Sequence, residues 1–266
     1  MSTEDPPQML FFDILGTVVE WRRCIANEFS KTAQTAIQDT RRNVGSELRD
    51  DVSSLDMADW LSLAEEWHRS YMEFGNSFNS SRSFISVDEH NRASLEELII
   101  KRGLRPLFND EDLTQLTFTW HRLDPWPEAV AGLLLLKSSF TTSTLSNGNV
   151  SLLEDLQSHG SLVFTHITSA EHFGAYKPSP EVYRGAAKRF GLETSQCGMV
   201  AAHLEDLQAA KKCGFKTIYV EREMEEAWSS EEVLWAKRNG VVDIWVSDTG
   251  NGLIEVAHRL GVERDF

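Results

Sequence analysis

Four polar positions in this chain combine a reactive side chain with a place where a fold could use it. Asp13 ends the apolar run Met9-Leu10-Phe11-Phe12 and precedes Gly16 and Thr17, which puts one carboxylate at the tip of a buried strand before a tight turn. Such an aspartate is either a nucleophile or the cap of a surface turn. Ser146-Asn147-Gly148 follows a second expected strand, Phe140–Leu145, and opens a helix. Its hydroxyl, amide and free N–H groups would cradle a carboxylate or phosphate, or simply cap that helix. Lys177, in Tyr176-Lys177-Pro178-Ser179-Pro180, would neutralise Asp13 or a bound anion unless it is a solvated surface lysine. Asp206, in His203-Leu204-Glu205-Asp206, is an acid at the tip of the fourth strand and the start of a helix, or only a first-turn complement to the helix dipole.

The elements that must position these residues are legible in the hydrophobic pattern. Short apolar runs at 9–12, 140–145, 162–167, 199–202, 217–220 and 244–246 each end in polar residues and predict strands. Between them, helix-period segments at 127–137, 150–159, 180–190, 204–213, 230–239 and 252–260 are mostly stopped by glycine. Strands alternating with helices predict an α/β fold, a Rossmann-like parallel sheet with helices on both faces. Ligands bind such sheets outside the carboxyl ends of the strands, where all four residues fall. Residues 19–123 break the rhythm. They hold helix-compatible stretches at 21–41, 58–78, 95–101 and 113–122, a serine-rich loop at 76–83 and no convincing strand. The expected organisation is a core of 9–18 and 124–266, an inserted α-helical subdomain of 19–123, and a disordered start at 1–8. Pro125, Trp126 and Pro127 mark the return to the core. In the insert, Trp60, Trp67, Tyr71, Phe74 and Phe78 recur at helical spacing and predict packing of its own core, with the roof of a dry pocket as the sharper alternative.

Composition narrows the function. With 41 Asp and Glu against 26 Lys and Arg, the net charge of −15 disfavours nucleic acid and anionic membrane as partners. No apolar run approaches the roughly 18 residues of a membrane span, and residues 1–8 lack the pattern of a signal peptide. Cys24, Cys197 and Cys213 are odd in number and widely spaced, which points to free thiols and a cytoplasmic setting.

In order and context, the four positions resemble the motifs of the haloacid dehalogenase (HAD) superfamily. Asp13-Ile14-Leu15-Gly16-Thr17 is similar to its motif I, Ser146 to motif II, Lys177 before Pro178 and Pro180 to motif III, and Asp206 in Glu205-Asp206-Leu207-Gln208-Ala209-Ala210-Lys211-Lys212-Cys213-Gly214 to motif IV. The helical insert stands where that superfamily carries its cap. Its phosphatases place a second Asp two residues after the nucleophile and an acid four residues before the motif IV Asp; here these are Leu15 and Ala202. Leucine cannot protonate a leaving alcohol, and without the other acid a divalent ion loses a ligand. Ser146-Asn147-Gly148, the pattern of Lys177, Pro178, Val182 and Tyr183, and the stretch 119–127 resemble instead the L-2-haloacid dehalogenase (type II) branch.

That resemblance implies hydrolytic, metal-independent dehalogenation of a small 2-haloalkanoic acid with no cofactor. Asp13 would attack the halogen-bearing carbon and form an ester that water hydrolyses. The substrate carboxylate would rest on Ser146 and on amides near Leu15, Gly16 and Asn147. Lys177 would offset the paired carboxylates, Asp206 would orient Lys177 or the water, Thr17 and Tyr183 would hydrogen-bond around them, and Asn147 would help receive the halide. The branch's halide-binding Arg is absent: His68 follows Trp67, with Arg69 and Arg22 as substitutes. In motif IV the branch's hydroxyl and Asn are Ala201 and His203, and His203 is either a water-activating base or a residue hydrogen-bonded at a helix start. Dimerisation is common in this branch, so a homodimer stays open. The alternative function is a HAD-fold hydrolase or lyase using the same Asp on a non-halogenated small acid.

Overall fold

The computed structural model describes residues 6–78 and 84–262. Its centre is the strand β1 (Met9–Phe12), four apolar residues buried on both faces, with a parallel neighbour on each edge and helices over the sheet. After it come β2 (Val19–Glu20) and the helices α1 (Arg22–Gln38), α2 (Ser46–Ser54), α3 (Met57–Ser77), α4 (Val87–Lys101) and α5 (Asp110–Thr117). A 3₁₀ turn at Phe118–Arg122 leads to β3 (Asp124–Pro125), which pairs antiparallel with β2, so one short ribbon ties the entry of the helical stretch to its exit. The chain then alternates: α6 (Ala129–Lys137), β4 (Thr141–Thr144), α7 (Val150–His159), α8 (Pro180–Arg189), β5 (Cys197–Ala201), α9 (Leu204–Lys212), β6 (Lys216–Val220), α10 (Ser230–Arg238), β7 (Ile244–Val246) and α11 (Gly252–Arg259).

The five long strands form one parallel sheet in the order β4-β1-β5-β6-β7. Met9 stands opposite Thr141 on one side and Cys197 on the other, so Asp13 and the residues after β4 and β5 emerge at the same edge. Strand order reverses direction at β1, the kind of switch point where a crevice opens. α6 packs on β4 and against α11, which lies on β6 and β7, while α9 covers β5 and β6 beside α8. The helical stretch has its own core: Trp67 meets Phe29 at 5.7 Å and Trp120 at 5.4 Å, and Trp60 is buried nearby. Such aromatic contacts add about 0.5–1.5 kcal/mol each beyond burial. α3 starts on a reciprocal cap, with Asp56 accepting from the Ala58 and Asp59 amides and Asp59 accepting from Asp56.

Several expectations need correction. Residues 162–167 are not a strand. They run beside the edge strand β4 with backbone bonds from Thr165 and His166 to the Thr142 carbonyl and from Thr144 to His166, but the Thr144 hydroxyl then takes both the Thr168 amide and carbonyl, and among 162–167 only an isolated bridge between Ser143 and His166 forms. Hydroxyls that compete for backbone partners displace the ladder. The helical stretch contains a helix at Ser46–Ser54 that its charged sequence hid, and the helix expected at 95–101 begins at Val87 on a Ser86 and Glu89 capping box. The expected loop at 76–83 is helical to Ser77, and 79–83 lie outside the described residues. Of the expected disordered start, 1–5 also lie outside them, but Pro7 is buried and the Gln8 amide donates to the Gln196 carbonyl at 2.7 Å.

Candidate active site

At the strand tips, acids and bases alternate along one connected line. Lys177 Nζ donates to Asp206 Oδ2 at 2.6 Å and to Asp13 Oδ1 at 2.8 Å. Asp13 Oδ2 faces His203 Nδ1 at 3.1 Å, His203 Nε2 faces Glu225 Oε2 at 3.2 Å, and the other oxygen of Glu225 accepts from Arg22. Three acids thus interleave with three bases, largely out of water. Burying any of them alone would be costly, and their sequence of opposite signs is what makes the burial tolerable.

The surroundings tune each group differently. Burial opposes ionisation of Asp13, but the Lys177 charge and the His203 hydrogen bond hold it well below the usual carboxylate range. Thr17 Oγ1 adds a further donor to Asp13 Oδ2 at 2.7 Å and itself accepts from the Ala202 amide at 2.9 Å. Asp206 is pushed upward by burial, against the pull of Lys177; its Oδ1 accepts from the Tyr183 hydroxyl at 2.6 Å. Burial acts against the charge of Lys177 too, yet Asp13 and Asp206 together raise its pKa. Asp13 is therefore an anion with a fixed orientation, a state that can act as a nucleophile and cannot donate a proton.

The turn that presents it is braced from behind. Gly16 has φ +79°, and a Cβ there would lie 2.2 Å from the Glu225 carboxylate, so only glycine satisfies both the turn and the close approach. The Gly16 carbonyl accepts from Trp126 Nε1 at 2.9 Å, and the Thr17 carbonyl accepts from Arg222 Nε at 3.1 Å.

Asp13 opens into a cavity of about 70 Å³ whose walls include Leu15, His68, Tyr71, Met72, Asn147 and Lys177. Holding one water takes roughly 10–15 Å³, so the cavity has room for several waters or a small molecule. α3 supplies the roof. His68 stacks on Trp21 with ring centroids 4.0 Å apart, and burial drives its imidazole down to about 3, so it is neutral. The opposite holds for His203. Burial works against its charge, but hydrogen bonds to Asp13 and Glu225 raise it to about 10.

The residues singled out in the sequence divide clearly. Asp13, Leu15, Asn147, Lys177, Tyr183, His203, His68 and Asp206 line the cavity. Thr17 lies directly behind Asp13. Ser146 is buried beneath the turn, its Oγ accepting the Gly148 amide at 3.2 Å, and does not contribute to the cavity wall. The Gly16 amide donates to Val19 and is not free for a substrate, which leaves the neighbouring Leu15 amide for that task. Asn147 has both ends of its amide on the Lys177 backbone, at 2.7 and 3.2 Å, so it holds Lys177 in place rather than waiting for a halide. Neither expected arginine substitute reaches the cavity: Arg22 is paired with Glu225 and Glu65 and lies 4.3 Å over Trp21, and Arg69 is exposed.

A divalent cation does not fit this donor set. The Lys177 ammonium occupies the space between the two carboxylates, every Asp13 and Asp206 oxygen already has a partner, and the third acid position is Ala202. Among the described residues there is no cluster of three or more side chains suited to a metal.

A family model described as a haloacid dehalogenase-like hydrolase matches residues 8–214. The chain belongs to this family. Within it, the chain is 25% identical over 221 residues to (S)-2-haloacid dehalogenase 1 of Pseudomonas sp. (strain CBS-3), covering 82% of this chain and 86% of that protein. A shorter match of 112 residues, 31% identical, joins 41% of this chain to 48% of (S)-2-haloacid dehalogenase 4A of Burkholderia cepacia. The crystal structure of the defluorinating L-2-haloacid dehalogenase Rha0230 superposes with a TM-score of 0.76 at 27% identity, covering 96% of this chain and 95% of that one.

Three participants were not singled out in the sequence of this HAD-family hydrolase, the wall residue Met72 and two behind the site, Glu225 and Trp21. Glu225 lies in the charged stretch Glu221–Glu226, where nothing in the local pattern separates it from solvated neighbours; it is buried because its side chain packs against the Gly16 turn. Trp21, which donates to Glu225 at 3.3 Å and floors His68, reads as an ordinary core aromatic.

Proposed function

We propose that this haloacid dehalogenase-like hydrolase displaces halide from a small 2-haloalkanoic acid by metal-independent hydrolysis through an ester on Asp13. The carrying observation is an ionised, immobilised Asp13 facing a small cavity in which Leu15 and Ala202 stand where phosphoryl chemistry needs acids. Halide leaves without a proton, so a backside attack on the 2-carbon needs only an oriented carboxylate, and the cation of Lys177 offsets the arriving substrate carboxylate. Two unit charges about 4 Å apart repel by about 4 kcal/mol at an effective dielectric of about 20, so that offset decides whether the encounter is possible.

In this reading, residues 19–123 are the cap, and His68, Tyr71 and Met72 close the pocket over the 2-carbon. Asp206 and Tyr183 hold Lys177 in line, Ser146 shapes the turn, and the Leu15 amide receives the substrate carboxylate. The relatives' names support the halogenated substrate class. No helix among the described residues is long and apolar enough to cross a membrane. A cytoplasmic setting is proposed on the three unpaired cysteines, and independence from nucleic acid on the acidic surface. A homodimer is proposed on resemblance alone, and sedimentation decides it.

Chloride release from each enantiomer of 2-chloropropionate and fluoride release from fluoroacetate test this directly. Turnover of at least one, unaffected by chelators, is the expected result; Mg²⁺-dependent phosphate release from simple esters with no halide release overturns it. The neutral His68 favours one second reading, the same Asp13 acting on a non-halogenated acid, for which oxygen exchange into Asp13 without halide release would be the sign.

A further inference from the structure

His203 has an ionised carboxylate on each side, and neither can donate a hydrogen bond. Asp13 is kept anionic by Lys177 and Thr17, and Glu225 by Arg22 and the Trp21 indole. With Nδ1 3.1 Å from Asp13 and Nε2 3.2 Å from Glu225, both ring nitrogens must carry hydrogen in the resting enzyme. The other charged groups near it are Arg22, which already pairs with Glu225, Glu226, which accepts from the adjacent Leu204 amide, and Glu205, Lys177 and Asp206 on the same cavity wall, which the neutral His68 also lines. A histidine in this state is no base.

Alkylation of Asp13 changes that. Resting on the ester chemistry proposed above, we infer that His203 is the base of the hydrolytic half-reaction, switched on when Asp13 loses its charge, and that Glu225 is the positioning residue that fixes its tautomer. In the first half, an Asp13 oxygen forms a bond to the 2-carbon and the carbon–halogen pair leaves with the halide. Asp13 is now a neutral ester, so only Glu225 still favours the imidazolium, an arrangement that suits a base near neutral pH. Nδ1 gives its proton to solvent, which is the one proton the net reaction liberates. In the second half, water attacks the Asp13 carboxyl carbon. One of its protons goes to Nδ1, the other leaves on the hydroxyl of the 2-hydroxy acid as the ester bond breaks, and its oxygen stays in Asp13. The restored carboxylate again faces an imidazolium. Asp206 is a poorer candidate, because Lys177 and Tyr183 occupy its two oxygens.

Rapid-quench experiments with 2-chloropropionate separate the halves, following chloride release and the Asp13 ester by intact mass. In Glu225→Gln the expected result is a chloride burst of about one equivalent, an accumulated ester, and ester decay slowed about 100-fold or more. The decay should lose the ionisation near neutrality that wild-type decay follows, because glutamine no longer favours the imidazolium. His203→Asn removes the contacts to Asp13 and Glu225, so its fold is checked by circular dichroism; it should accumulate the same ester without the neutral ionisation. Equal slowing of both halves, or ester decay at the wild-type rate in both variants, overturns the assignment. If wild type itself releases no halide from any 2-halo acid, the parent reading fails in that arm, and this inference falls with it.

Discussion

Two histidines face the same cavity and are driven in opposite directions. His203, at the strand tips, sits between two carboxylates and is raised to about 10; His68, on the helical roof, lies on the Trp21 ring and is lowered to about 3. Burial acts against the charge of both, so burial does not explain the contrast. The difference is what each ring nitrogen meets: fixed anions below, aromatic surface above. In the proposed reaction the sheet edge holds the charges that make and break bonds, and the roof is a neutral, shaped lid that excludes water without competing for the anion.

The largest effects should come from the sheet edge. Asp13→Asn should lower turnover at least about 10⁴-fold while leaving the circular dichroism spectrum intact; surviving activity would remove the contrast altogether, since the anion would not be the reacting group. Lys177→Met leaves Asp13 and Asp206 sharing a buried space without their cation. It should cost about 3–5 kcal/mol in denaturant unfolding as well as most of the activity, and an unchanged midpoint would mean the pair is solvated.

Titration of stability separates the two histidines next. A base whose folded pKa is raised contributes fully below its unfolded value of 6.5, and loses that contribution as pH rises toward about 10. Wild type should thus lose a few kcal/mol between pH 7 and 10, at about 1.4 kcal/mol per unit, in excess of His203→Asn. The sign reverses for His68. Its depressed pKa lets the unfolded chain bind the extra proton, so stability falls as pH drops from 6.5 toward 3, and His68→Phe should flatten that limb. In turnover, His68→Phe keeps the stack and neutrality and should cost only about tenfold, one hydrogen-bond donor's worth. A loss as large as that of Asp13→Asn would place reacting charge on the roof. The smallest effect belongs to Arg69→Ala, which should change neither activity nor stability beyond about 0.5 kcal/mol because the side chain is exposed.

The sheet edge was far more legible in the sequence than the roof, and for a physical reason. A buried parallel strand is a continuous apolar run, so the first polar residue after it, Asp13 or His203, announces both the element and its tip. Helix stops at glycine then place Lys177 and Asp206 in the same frame. The roof offers only helical periodicity, which says that His68, Arg69 and Tyr71 share a helix but not which of them a second layer will cover. That is why Arg69 entered as a halide partner and is exposed, while Tyr71, expected in the insert's own packing, lines the cavity. Glu225 shows the limit at the sheet as well: it reaches the site from a charged loop 212 residues after Asp13, and no local pattern marks it. Residues 162–167 failed in the other direction, apolar enough for a strand but drawn off by threonine and serine hydroxyls.

Everything about the division between charged floor and neutral roof depends on Asp13 bonding to the substrate carbon. A single turnover in H₂¹⁸O, with enzyme in excess over 2-chloropropionate, measures this on the peptide that contains Asp13. One heavy oxygen in that aspartate and an unlabelled hydroxyl in the first product molecule are the predicted result. A labelled hydroxyl in the product with no label in Asp13 would mean that water attacks the substrate directly, and would contradict the account.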